Sequence, residues 1–127
     1  GICLGMQLFM ICSEENKKIN GLGLVKGNVM NFSNFISNTP IPHIGWEKIY
    51  NTNPVKNKLL KSSKNKQFYF AHSFVCIFKK EYDFLYSIYN KYKFVSGFCN
   101  ENLIGIQFHP ELSGQIGCKF IKQFVDL

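Results

Sequence analysis

The spacing of apolar and polar positions divides the 127-residue chain into a helical start, a strand-rich middle and a helical end. "LGMQLFMICSEE" (4–15) carries Leu4, Leu8 and Ile11 at helical spacing, which predicts a helix one turn after the start. "GLGLVKGNVMNF" (21–32) reads as short strands with glycine corners, and "TPIPHIGWEKIY" (39–50) as two prolines followed by a strand. "PVKNKLLKSS" (54–63) has the pattern of a weak helix or loop. Four aromatic and β-branched runs, "KQFYFAHSFVCIF", "FLYSIY", "KFVSGFC" and "NLIGIQF", are separated by polar turns and read as strands. In "GQIGCKFIKQFVDL" (114–127), Ile116, Phe120, Ile121 and Phe124 recur at helical spacing and predict a final helix. With no repeat, low-complexity stretch or linker, the pattern describes one domain of mixed α and β.

Composition narrows the class. Apolar residues make up 46% and aromatics 16%, a globular rather than a disordered balance. No apolar run approaches the ~20 residues that cross a bilayer, and the opening residues have neither the charged region nor the cleavage site of a signal peptide. The net charge of +7 invites a nucleic-acid reading. All fifteen basic residues are lysines scattered along the chain, and no arginine offers bidentate base or phosphate contacts. A solvated basic surface is the expectation, with no nucleic-acid and no membrane partner. The cysteines at 3, 12, 76, 99 and 118 are odd in number and form no C-x-x-C pair, so no metal site is expected. Cys76, Cys99 and Cys118 lie in apolar stretches and read as buried free thiols, a usage that fits a reducing, cytoplasmic location.

The chemistry sits in two segments. "GICLGMQ" has the form of a nucleophile elbow, in which a strand ends, turns sharply and feeds a helix. Small residues on both sides of Cys3 would let backbone approach backbone. The elbow would hold the sulfur at a helix N-terminus that favours thiolate, with the Leu4 N–H aimed at an oxyanion. Taken alone, a cysteine between glycines is more often structural than catalytic. A cysteine nucleophile needs a base and an orienter. Of the three histidines, His109 in "GIQFHPE" stands where a strand stops at a proline, and Glu111 is placed to hold its far ring nitrogen. Cys3, His109 and Glu111 together form the candidate triad.

These two segments, in this order and at this separation, resemble the class I (triad) glutamine amidotransferases. "SEE", "GLGLVKGNVMNF", "IPHIGWEKIY", "QFYFAHSF" and "HPELSGQIGCKFIKQF" narrow the resemblance, over essentially the whole chain, to the glutaminase subunits of imidazole glycerol phosphate synthase in histidine biosynthesis. The resemblance implies an α/β, flavodoxin-like fold with a smaller antiparallel sheet. It also implies that residues 1–127 are the C-terminal portion, roughly two thirds, of a single glutamine amidotransferase domain near the modal size, whose earlier strands and second oxyanion loop would precede Gly1.

By the same resemblance Cys3 is the nucleophile, His109 the general base and acid, and Glu111 the carboxylate behind it. Gln7 and the backbone at His72, Ser73 and Phe74 would hold the glutamine substrate. Trp46, Tyr69 and Leu112 would face a cyclase barrel subunit near the ammonia exit, and no cofactor is implied. Two departures stand out. Leu112 occupies a position where the family commonly has Lys or Arg, and Phe74 one where Tyr is common, which removes a hydroxyl. Three other readings stay open at this point: the same glutaminase serving an amidotransferase for surface-polysaccharide amino sugars, a non-catalytic binding module, and a cysteine hydrolase acting on γ-glutamyl peptides.

Overall fold

A computed structural model describes residues 1–51 and 55–127. Helix α1 (Leu4–Leu8) is followed by β1 (Cys12–Ser13), β2 (Ile19–Asn20), β3 (Gly27–Asn31) and β4 (His43–Lys48). Helix α2 (Lys58–Ser62), β5 (Gln67–His72), β6 (Phe74–Phe78), β7 (Asp83–Tyr89), β8 (Tyr92–Asn100), β9 (Leu103–Ile106) and α3 (Gly114–Val125) complete the order. Single 3-10 turns occupy Phe32–Asn34 and Pro110–Leu112. The strands form three groups: β2-β1-β3-β6, with β1 parallel to β3; the antiparallel pair β4-β5; and the antiparallel meander β7-β8-β9. A short parallel bridge, Ile2 to Ile106, lays the segment before α1 along the end of β9. The chain is therefore of the α/β class with mixed sheets, as expected.

Two apolar cores hold these layers. The larger is aromatic, with Phe32, Phe68, Phe70, Phe94, Phe108 and Phe120 all buried. Phe68 stacks on Phe108 at 4.2 Å between centroids, and Phe120 of α3 meets both rings edge-on. The second core gathers Met6, Met10, Val25, Val29, Cys76 and Phe98, and so anchors α1 against β3, β6 and β8.

The opening helix is much shorter than the apolar spacing predicts. It ends at Leu8 because its last carbonyls are captured by the returning segment rather than by the next turn. Leu8 O accepts from Leu22 N at 2.8 Å, Phe9 O from Val25 N at 2.9 Å and Met10 O from Gly23 N at 3.0 Å. Residues 12–13 then pair as a strand. The stripe that suggested the helix also lies on the outside: Leu4, Leu8 and Ile11 are exposed, while Met6, Gln7 and Met10 are buried. The long run 66–78 splits at Ser73 into β5 and β6, which belong to different sheets. The stretch 54–63 contributes α2, capped by the Asn57 side chain on Leu60 N at 3.1 Å; its Pro54 lies outside the described residues. Helix α3 forms as expected, but of its four periodic apolar residues only Phe120 is buried. Cys76 is buried as read, Cys99 is half-buried and Cys118 is exposed on α3.

Helix α3 sets the turn that follows His109. A Cβ on Gly117 would stand 1.7 Å from the Pro110 carbonyl oxygen, so helix and turn touch through bare backbone. Helix propensity alone would favour Gly117→Ala by about 1 kcal/mol. The overlap reverses the sign, and the substitution is expected to destabilise the protein by about 2 kcal/mol. A lowered urea midpoint checks this; a raised midpoint would show that the helix can withdraw freely from the turn.

Candidate active site

Backbone pairing builds the corner at Cys3. Cys3 N donates to Ile106 O at 2.7 Å and Ile106 N to Gly1 O at 2.9 Å, so the first three residues run beside the end of β9. The chain then reverses into α1 through Cys3 itself, whose φ of 47° and ψ of −105° are strained for a non-glycine residue. Gly1 is required by space, since a Cβ there would lie 2.5 Å from the Gly5 carbonyl carbon and 2.7 Å from Met6 N. At Gly5 a Cβ would meet nothing within 4 Å, so the expected need for a small residue holds on one side of the elbow only.

Cys3, Leu4, Gln7, His72, Ser73 and Phe74 line one open cleft of about 320 Å³, which Glu15, Pro42, Ile44 and Ala71 complete. The candidate nucleophile Cys3 and the candidate substrate-binding residues Gln7, His72, Ser73 and Phe74 therefore share one concavity. Gln7, one turn after Cys3, is buried and donates its Nε2 to Phe74 O at 3.3 Å and to Gln107 Oε1 at 3.3 Å. Gln107, fully buried, donates its own Nε2 to Cys3 Sγ at 3.4 Å. Sequence reasoning missed Gln107. Strand alternation held the signal: it is a polar residue inside an apolar run, two positions before His109 and on the same face.

His109 stands on the neighbouring strand end. Its N–H donates to Tyr69 O at 2.8 Å, and its Nδ1 lies 2.7 Å from Glu111 Oε1. With Nδ1–H given to the carboxylate, Nε2 is left as the basic nitrogen. Ser113 Oγ donates to His109 O at 2.6 Å and accepts from Tyr69 N at 2.9 Å, which locks the turn to β5. No hydrogen bond joins Cys3 Sγ to His109 among the described residues; the sulfur lies 3.9 Å from Ala71 O. Catalytic pairs are commonly long in a ligand-free site and tighten on substrate.

Burial works against ionisation of the sulfur. Burial pushes the Cys3 thiol above its ordinary range, and the Leu4 N–H and the Gln107 amide pull it back. The carboxylates of Glu111 and Glu15 push it up again. The Leu4 N–H at the N-terminus of α1 does favour thiolate, as expected, and burial outweighs it.

A second buried network underlies the cleft. His72 Nδ1 faces Phe74 O at 2.9 Å, and its Nε2 lies 2.9 Å from His43 Nδ1, directly across the β4–β5 pair. A carbonyl can only accept, so His72 carries its proton on Nδ1, and His43 donates Nδ1–H to His72. The His43 Nε2 is left bare and buried, 3.6 Å from Glu47 Oε1. Burial lowers His72 to about 3 and His43 to about 4, which keeps both rings neutral. Trp46, half-exposed, meets Tyr69 edge-on at 6.0 Å, and Leu112 is exposed in the turn that follows His109.

This architecture places the chain in a known class. The class-I glutamine amidotransferase family model matches residues 1–127, and the chain belongs to that family. Among curated relatives it is 38% identical over its whole length to the imidazole glycerol phosphate synthase subunit HisH of Buchnera aphidicola, and 40% to that of Methanocaldococcus jannaschii; it covers 62% of each. The HisH subunit of Pyrococcus furiosus is 39% identical over 98% of the chain, which again covers 62% of it. The chain thus spans about three fifths of the length of the relatives it matches.

The buried histidine pair makes stability pH-dependent. Both folded-state values lie below the unfolded value of ~6.5, so the unfolded chain takes up the protons first and acid favours unfolding. Stability is fully present above that value and falls by about 1.4 kcal/mol per pH unit for each ring as the pH drops toward 4. Glu47, raised by burial, opposes this with a smaller effect. Urea unfolding followed between pH 7.5 and 5 is expected to show the loss, and a flat profile would mean that the rings are not held neutral.

Proposed function

We propose that this chain carries the glutaminase site of an imidazole glycerol phosphate synthase, releasing ammonia from glutamine for a cyclase barrel subunit in histidine biosynthesis. The observation that supports this most directly is the cleft in which the Cys3 sulfur, with the Leu4 N–H beside it, faces Gln7 and the backbone of residues 72–74, next to the His109–Glu111 pair. Both N–H bonds of the Gln7 amide are already used, so its oxygen is left to accept from the amine or amide of a bound glutamine. Short polar groups and fixed backbone suit a small zwitterion. The relatives that carry the HisH name support the choice of partner.

In this reading His109 Nε2 takes the thiol proton as sulfur attacks the amide carbon, and the Leu4 N–H receives the oxyanion. The C–N bond breaks, His109 returns the proton to the departing nitrogen, and ammonia leaves a γ-glutamyl thioester. Water, with His109 again as base, releases glutamate. Glu111 orients and charges the imidazole throughout. Free ammonia is protonated in neutral water and loses its nucleophilicity, so a sheltered path to the partner follows. Trp46 with Tyr69 at its edge, and exposed Leu112, would offer apolar area to that partner, and an apolar Leu112 contributes no ion pair there.

The test is made on the full-length protein in complex with its partner. Cys3→Ser is expected to lower glutamine-dependent synthesis by several orders of magnitude and leave ammonia-dependent synthesis intact. Glu111→Gln is expected to cut the glutamine reaction by about 10²–10⁴-fold. Glutaminase activity that survives Cys3→Ser would remove the assignment.

A further inference from the structure

We propose that Gln107 is a positioning residue for the nucleophile: its side-chain amide, held in one orientation by Gln7, donates N–H to the Cys3 sulfur and stabilises the attacking thiolate. The proposal rests on the reading of Cys3 as the nucleophile.

The orientation follows from an acceptor that cannot change role. The Phe74 carbonyl oxygen accepts from Gln7 Nε2 at 3.3 Å. That contact fixes which end of the Gln7 amide is nitrogen, and the same nitrogen faces the Gln107 side chain at 3.3 Å. Gln107 must therefore present Oε1 to Gln7, and its Nε2 is left 3.4 Å from Cys3 Sγ. His72 Nδ1 reaches Phe74 O at 2.9 Å as well, so the acceptor that orients the amides is itself anchored from β5. Every N–H in the chain Phe74–Gln7–Gln107–Cys3 has one direction, and the last points at sulfur. The backbone of Gln107 is fixed independently, by its N–H to Ser96 O at 2.9 Å.

A neutral thiol accepts such a bond weakly, whereas a thiolate accepts it as a charge-assisted bond. The donor thus stabilises the ionised form more than the neutral one. The surroundings give it something to oppose. Glu15, from the loop after β1, and Glu111, from the turn after His109, both place negative charge toward the sulfur. The neutral rings of His72 and His43, committed to Phe74 O and to each other, supply no positive charge. The Cys76 thiol on β6, also turned toward Cys3, is buried and pushed up. Beyond the His109 imidazole on the adjacent strand end, the donors that act on the sulfur are the Leu4 N–H and the Gln107 amide. Of these, only the amide can be removed by changing a side chain.

The experiment is the pH dependence of Cys3 alkylation by iodoacetamide in the full-length protein, read on the peptide that carries Cys3, with exposed Cys118 as internal control. Gln107→Met keeps the side-chain length and removes both hydrogen bonds. It is expected to raise the alkylation midpoint of Cys3 by about one pH unit, a rate about tenfold lower below the midpoint, and to leave Cys118 unchanged. In the glutaminase reaction kcat is expected to fall more than KM rises. An unshifted Cys3 midpoint in folded Gln107→Met would overturn the proposal. Should the methionine variant fail to fold, Gln107→Glu decides: a carboxylate against the sulfur raises the midpoint at least as far, and an unchanged midpoint again overturns it. Alkylation needs no turnover, so failure here is distinct from survival of activity in Cys3→Ser, which would refute the nucleophile itself.

Discussion

The site depends on one short pairing, the two backbone hydrogen bonds between residues 1–3 and Ile106. They close a loop of about a hundred residues, which is entropically costly, and the cost is offset by packing on both sides of the bond. Met6 and Phe98 fill the space under α1, and Gly105 keeps it narrow: a Cβ there would meet Phe98 at 2.3 Å and Met6 at 2.9 Å. Once Ile106 is paired with Cys3, its successors are placed by backbone bonds of their own, Gln107 N to Ser96 O and His109 N to Tyr69 O. Gln107 falls beside the sulfur, and His109, two residues on, emerges from the same face onto β5.

A second constraint is polar. Buried amides and imidazoles are tolerated only when their hydrogen bonds are met. Here they are met in a single directed chain: His43 to His72, His72 to Phe74 O, Gln7 to the same oxygen and to Gln107, Gln107 to sulfur. Its members come from β4, β5, β6, α1 and the segment after β9, so the chain registers five elements against one another. The one unmet member, His43 Nε2, lies toward Glu47.

Much of this was legible beforehand. Aromatic and β-branched runs between polar turns located the β-strands from Gln67 to Ile106, and the pairing of a G-x-C-x-G elbow with a His-Pro-Glu strand end located the candidate site. The failures have physical causes. The helix read over 4–15 stops after Leu8 because long-range carbonyl partners at Leu22, Gly23 and Val25 win over local ones, and periodicity is blind to such partners. Its apolar stripe was assigned without knowing that Met6 and Met10, not Leu4 and Leu8, face the core. The thiolate expectation weighed the helix end but not burial. His43 was passed over because its importance comes from its cross-strand partner His72, and Gln107 because its partners Gln7 and Cys3 lie about a hundred residues earlier in the chain.

The central claim is that glutamine reacts with the sulfur of Cys3. Mass spectrometry of the full-length complex, acid-quenched while it turns over glutamine, tests this most directly. The account predicts a γ-glutamyl thioester on the peptide that carries Cys3, absent without glutamine. Turnover with the adduct on another residue, or with Cys3 unmodified throughout, would contradict it.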